Sequence, residues 1–288
     1  MPSVRDLRDR IRSLKNTQQI TKAMKQVAGA KIRRAENARK QARPYSDTIA
    51  EMLRDLTQAV ARVDHPFMRP GKAGAPAGIL LMTADKGLAG AFNSNVIRMA
   101  EGYARERGGA LFYNVGLKGR NAVRRMGMPD RPSWPLSGTS KLDAARDVAR
   151  RVADDFDRGE ISDLVLVSSK LLSMMSQKPE TRRLIPVEGA SDAGALDGKP
   201  RGAVEFAPSP EFVLSRLLPK YLEFSIYSAM LETDAAFFAA QLVAMSNATD
   251  NASKLIDELT IAMNNARQAA ITKELLEIVA GAEALGVA

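Results

Sequence analysis

The sequence predicts an α/β protein in which a long antiparallel coiled coil of the N- and C-terminal helices carries an inserted α/β domain. Three observations predict it. From Lys220 to Ala280 the chain has neither proline nor glycine, and a helix of that length spans about 90 Å, far beyond the usual globular helix. A second proline-free stretch with heptad-like spacing, Ser3 to Arg43, lies at the other end of the chain. Between them short apolar runs alternate with amphipathic ones, the pattern of a mainly parallel sheet covered by helices on both faces.

The first helix opens at Ser3, with Asp6 three residues on as an acid in the first turn. Val4, Leu7, Ile11 and Leu14 set a spacing of three and four that Met24, Ala28, Ile32, Ala35 and Ala42 continue less regularly, and Ile49, Leu53, Leu56 and Val60 extend it. Pro44 should kink this helix or mark a boundary. His65 to Pro76, with three prolines and two glycines, reads as a linker. Gly78 to Thr83 reads as a buried strand, Phe92 to Arg107 as a helix and Ala110 to Val115 as a strand. Leu117 to Met126 and Lys141 to Arg158 follow as helices, then Asp163 to Val167 as a strand. This alternation makes the insert Rossmann-like. Leu171 to Met175 and Arg182 to Val187, joined by a turn that includes Gln177, Lys178, Pro179 and Glu180, read as an added hairpin, and Gly189 to Gly202 as a surface loop.

In the last helix, Leu231, Ala235, Phe238, Leu242, Met245, Thr249, Ala252, Ile256, Leu259, Met263, Ala266 and Ala270 alternate in steps of four and three, the seam that winds two helices together. Its many small residues predict close approach and a slim rod. The first helix is dense in Lys and Arg, whereas the last carries Glu223, Glu232, Asp234, Asp250, Asp257 and Glu258, so the two are expected to pair by charge as well. The expected organisation is a coiled-coil helix over 1–60, a linker over 61–76, the α/β domain over 77–190, a loop and foot region over 191–208, and the second coiled-coil helix over 209–288.

Composition narrows the function. A net charge of +9 points to an acidic partner, whether nucleic acid, anionic lipid or protein. The absence of cysteine removes disulfides, thiolate zinc sites and thiol redox switching. No apolar run reaches the roughly 20 residues needed to cross a bilayer, so membrane contact is expected only through partners. Asp6 and Asp9 argue against reading the basic N-terminus as a transit peptide.

Catalytic constellations are missing as well. Asp85-Lys-Gly-Leu-Ala-Gly-Ala-Phe-Asn93 sits between a strand and a helix, where phosphates bind in open α/β sheets, but it has neither the Walker A nor the G-x-G-x-x-G spacing, and a tight turn explains it. A lone histidine, His65, leaves no basis for a His-metal cluster. Asp154, Asp155 and Asp157 fail the calcium-loop spacing and read as a solvated helix end. The basic first helix has no aromatic before Tyr45, unlike single-strand binders. Asn247, Asn251, Asn264, Asn265, Arg267 and Gln268 give the last helix a surface of short amides suited to nestling inside something.

Ile20-Thr-Lys-Ala-Met-Lys-Gln-Val-Ala-Gly-Ala-Lys31, Ala244-Met-Ser-Asn-Ala-Thr-Asp-Asn251 and Asn265-Ala-Arg-Gln-Ala-Ala-Ile-Thr-Lys-Glu-Leu275, with the turn at Asp85 to Asn93, closely resemble the gamma subunit family of F-type ATP synthases, of the bacterial type. The resemblance covers essentially the whole chain. It implies the central rotor shaft of a proton-translocating synthase: a non-catalytic subunit without cofactor, peripheral on the cytoplasmic face of the bacterial cell membrane. The implied partners are the alpha and beta subunits of the catalytic ring, the epsilon subunit and the c-subunit ring, with no nucleic acid. It further implies that Met24 faces the lever loops of the beta subunits, with simple coil packing as the other reading. Arg267, Gln268 and Thr272 match positions that contact the beta catch loops. Phe206, in Glu205-Phe-Ala-Pro208, matches a foot on the c ring, although Ala207 stands where the family often has an acid. A nucleic-acid-binding coiled coil, or a small-molecule enzyme using the turn at Gly87, are the rival readings.

Overall fold

A computed structural model describes residues 3–59, 65–187 and 209–286. Its elements in order are α1 (Val4–Ala59), a 3-10 turn (Pro66–Met68), β1 (Ala77–Met82), α2 (Phe92–Glu106), β2 (Ala110–Val115), α3 (Leu117–Arg125), α4 (Lys141–Asp157), β3 (Leu164–Ser173), β4 (Ser176–Ile185) and α5 (Pro210–Gly286). The chain divides into two compact units, one of residues 29–241 and one of residues 1–28 with 242–288.

In the first of these a sheet of order β2-β1-β3-β4 has its first three strands parallel and β4 antiparallel to β3. Every residue of β1 and β2 is buried, as expected for strands covered on both faces. Leu80, Met82, Tyr113, Leu164 and Leu166 pack on one side with Ala145, Val148 and Val152 of α4, and with Leu53 and Leu56 of α1 and Leu218 and Leu222 of α5. Ile79, Leu81, Phe112, Val165 and Val167 pack on the other with Val96, Ala100 and Ala104 of α2 and Val123 of α3. The two long helices thus help close the core of the inserted domain. Phe67, in the proline-rich stretch, is buried in the same core, and its carbonyl accepts from the Val187 amide at 2.7 Å.

Three expectations change. The predicted hairpin is displaced: Leu171 to Ser173 continue β3, the chain reverses over Met174 and Met175, and Gln177 to Glu180 lie within β4. Ser173 Oγ closes that reversal by accepting from the amides of Met175 (3.3 Å) and Ser176 (3.1 Å). Pro179 is tolerated because β4 is an edge strand, with one side free of ladder bonds. Pro44 does not end α1, which continues to Ala59; Ala42, Ser46 and Ile49 keep the inward face covered on both sides of it, and Tyr45 stacks on Phe224 at 4.1 Å. Asp155 does not belong to a solvated helix end. It is fully buried, accepting from Tyr113 Oη and Arg131 Nε at 2.8 Å each and paired with Arg151 at 3.2 Å. Burial opposes its charge, yet the bonds from Tyr113 and Arg131 and the Arg131 guanidinium outweigh this and hold the carboxyl below its ordinary value. Burial, together with the bond to Asp155, pushes the Tyr113 hydroxyl up.

In the unit of residues 1–28 and 242–288 the two helices run antiparallel. Gln18 Nε2 donates to Ser253 Oγ (3.2 Å), Thr249 Oγ1 to Thr21 Oγ1 (2.8 Å) and Lys25 Nζ to Ser246 Oγ (2.9 Å). Ser3 and Asp6 cap the start of α1 reciprocally, each accepting from the other's amide at 3.1 Å. Within this unit the seam read from the sequence is the covered face of α5 as far as Ala266: Met245, Ala252 and Ile256 are buried and Thr249, Leu259, Met263 and Ala266 half-buried, whereas Ala270, the last position of the expected seam, is exposed.

Candidate subunit-contact surface

The helix pairing fixes where each predicted contact residue stands. Gln18 lies opposite Ser253 and Lys25 opposite Ser246, so, counting along both helices, the start of α1 at Val4 is level with Arg267. Beyond that level α5 has no companion helix among the described residues of its unit. Ile271, Leu275, Leu276, Ile278 and Val279 are accordingly 49–67% exposed, a run of apolar side chains that a free surface rarely carries.

Arg267 and Gln268 are exposed at the boundary where the pair becomes a single helix, and Arg267 has no ion-pair partner among the described residues. Thr272, also exposed, uses its hydroxyl to donate to the Gln268 carbonyl at 3.0 Å, one turn earlier. These three residues therefore share one level of the stem. Met24 is elsewhere: beside Lys25 it stands near the level of Ser246, some 20 residues or about 30 Å along α5 from Arg267. It is half-buried at the edge of the seam, with Ile20 and Val27, both more than half exposed, on the same outer side of α1. Phe206 lies outside the described residues.

The sequence assigned a seam position to Met24; the helix pairing gives it to Lys25. Covered positions in α1 step by three and four through Leu14, Gln18, Thr21, Lys25 and Ala28, so polar residues hold the register where an apolar search looked for Met24. A search for polar residues at the a and d spacing would have found them.

Charge is also distributed otherwise than expected. Arg39 does reach Glu232 at 2.8 Å, but Glu223 pairs with Arg146 and Lys220 and Asp234 with Lys141, because α4 lies along the acidic face of α5. Arg5, Arg8, Arg10, Arg12, Lys15 and Lys22 remain exposed on α1. A positive face is left outward, fit for acidic surfaces.

The turn after β1 is occupied by its own bonds. Asn93 Oδ1 accepts from the Ala84 amide at 2.9 Å, and Asp85 accepts from the amides of Leu117, Leu136 and Ser137 at 2.8–3.2 Å. Thr83 Oγ1 accepts from the Gly119 amide at 2.8 Å, and a Cβ on Gly116, whose φ is +93°, would collide with the Thr83 carbonyl. The polar groups of this turn join β1 to α3, leaving the arrangement suited to packing strand against helix. Among the described residues no group of three or more His, Cys, Asp or Glu side chains is placed to hold a metal.

An inserted α/β domain in one unit, and in the other two paired helices of which one outruns its companion with an apolar end, define the class of the stalk subunits. The family model described as ATP synthase matches residues 3–285. The ATP synthase gamma chains of Heliobacterium modesticaldum and Pelotomaculum thermopropionicum are 42% and 44% identical to this chain, each over 99% of it and 100% of the relative. A rotational state of the Euglena gracilis mitochondrial ATP synthase, containing OSCP, F1 and c-ring, includes a chain of the same fold. It has a TM-score of 0.68 at 18% identity, covering 98% of this chain and 94% of that one. The chain belongs to the ATP synthase gamma chain family. Among the described residues no helix is long and apolar enough to cross a membrane.

Proposed function

We propose that this chain is the central rotor shaft of an F-type ATP synthase, coupling proton flow through a membrane ring to ATP synthesis or hydrolysis on a surrounding ring of alpha and beta subunits. The observation that carries this reading is the end of α5 beyond Ala266, whose exposed Ile271, Leu275, Leu276, Ile278 and Val279 need the walls of a surrounding assembly. The basic outer face of α1 supplies charge complementary to acidic loops of that assembly. The chain itself does no chemistry in this reading, binds no cofactor and no nucleic acid, and touches the membrane only through the c ring, on the cytoplasmic face of the cell membrane, with epsilon beside its α/β domain. Met24 meets the lever loops of the beta subunits, Arg267, Gln268 and Thr272 their catch loops, and Phe206 the c ring. Residues 61–76 join the shaft to the α/β domain and residues 191–208 lead to its foot.

The test is purification of the tagged chain from its native membrane. Alpha, beta, epsilon and c subunits should co-purify in fixed proportion. Recovery alone, or with nucleic acid through a steeply salt-dependent affinity, would overturn the reading.

A further inference from the structure

The sequence carries methionine but no cysteine, so the sulfur chemistry open to it is that of thioethers. Burial divides those thioethers. Met82, Met230 and Met245 are buried, the first two in the core of the α/β domain, where a flexible thioether fills irregular space. Among the described residues three methionines are exposed: Met175 at 81%, Met52 at 51% and Met174 at 38%.

Met174 and Met175 form the reversal between β3 and β4, yet other side chains hold that reversal together. Ser173 Oγ accepts from the amides of Met175 and Ser176, and Gln177 Nε2 donates to the carbonyls of Ser173 (3.4 Å) and Met174 (3.0 Å). Below the tip, the Leu171 amide donates to the Glu232 carboxylate of α5 at 2.8 Å. The turn therefore keeps its bonds whatever happens at the Met175 sulfur. A polar oxygen on Met82 or Met230 would instead be forced into the core, at the cost of an unpaired buried dipole.

We propose that Met175 is the peroxide-reactive site of this chain, a thioether oxidised to the sulfoxide ahead of every other described methionine and without loss of fold. In the step a sulfur lone pair attacks one oxygen of hydrogen peroxide, forming the S–O bond as the O–O bond breaks. The departing oxygen takes the electron pair and, through water, the proton of the transferred oxygen, so the products are sulfoxide and water. Sulfur is oxidised by two electrons and the peroxide is reduced by the same two. Charge separates as this bond forms, so water around the sulfur favours the step, and Met175 is the methionine most open to water. Met52, within α1, is about half covered. The product replaces an apolar knob by a strong acceptor on a tip that also exposes Leu172, turning that surface from apolar towards polar until a sulfoxide reductase restores it. None of this depends on the rotor reading.

The test exposes the folded chain, both isolated and in its native membranes, to hydrogen peroxide and follows each methionine by peptide mass spectrometry. Met175 should gain one oxygen first, at least about tenfold faster than Met82, Met230 or Met245. The melting temperature should be unchanged at that point, and methionine sulfoxide reductase should remove the oxygen. Met175→Leu should abolish the fastest phase and leave the melting temperature where it was. Oxidation of Met52 or of a buried methionine before Met175 overturns the assignment, and unfolding on the first oxidation overturns the independence of the fold. Reaction in the isolated chain with protection in the membranes overturns Met175 as a site of the working protein.

Discussion

Replacing Arg267 and Gln268 together separates a working contact from an ordinary helix surface. Both side chains are exposed, and Arg267 has no ion-pair partner among the described residues, so Arg267→Ala with Gln268→Leu removes nothing from the fold. Surface changes of that kind move stability by less than about 0.5 kcal/mol. If the pair instead binds hydroxyl or carboxylate groups of a beta catch loop, the bonds are charge-assisted and shielded by the ring, and their loss costs about 1.5–3 kcal/mol. At 1.36 kcal/mol per factor of ten that is roughly a 10- to 150-fold effect on the step in which the contact is made or broken. The assay compares ATP hydrolysis and proton-driven synthesis by wild-type and double-mutant complexes at matched subunit content, beside thermal melts of the chain. Turnover should fall at least about tenfold while the melting temperature barely moves. Wild-type turnover in the double mutant would refute the reasoning and return both residues to a solvated face.

Three more outcomes are expected. Met24→Lys adds a charge beside Lys22 and Lys25 and should lower the number of protons pumped per ATP while hydrolysis continues; pumping and hydrolysis falling in strict proportion would leave Met24 with simple packing at the edge of the seam. The end of α5 beyond Ala266 should be cut by protease in the isolated chain and protected when alpha and beta subunits are added, and equal resistance in both states would show that its apolar face needs no cover. Asp155→Ala strands the Tyr113 hydroxyl and Arg131 in the core and should destabilise the α/β domain by about 3 kcal/mol in denaturant titration. Because the native carboxyl is held below its ordinary value, its contribution is complete above the unfolded pKa near 4 and fades as pH falls below it. Asp155→Asn should flatten that acid limb, and an unchanged limb would mean other carboxylates govern it.

Where a local pattern is enough to specify an element, the sequence determined it. Every residue of β1 and β2 is buried on both faces, so both strands could be read as continuous apolar runs, and the heptad of α5 from Met245 to Ala266 matches its covered face because a helix buries whatever recurs at three and four. The motifs around Met24 and Arg267 were legible as well, and with them the family. What only the tertiary structure decided depends on which neighbour arrives. Nothing local says that Glu223 and Asp234 will meet Arg146 and Lys141 of α4 rather than the basic α1, or that Asp155 will be enclosed by Tyr113, Arg131 and Arg151 from distant parts of the chain. Pro179 argued for a turn by its own chemistry, yet an edge position asks no ladder bond of its outer side. Lys25 holds a seam position by virtue of a partner hydroxyl at Ser246, 221 residues away, because pairing two helices fixes a register that neither possesses alone.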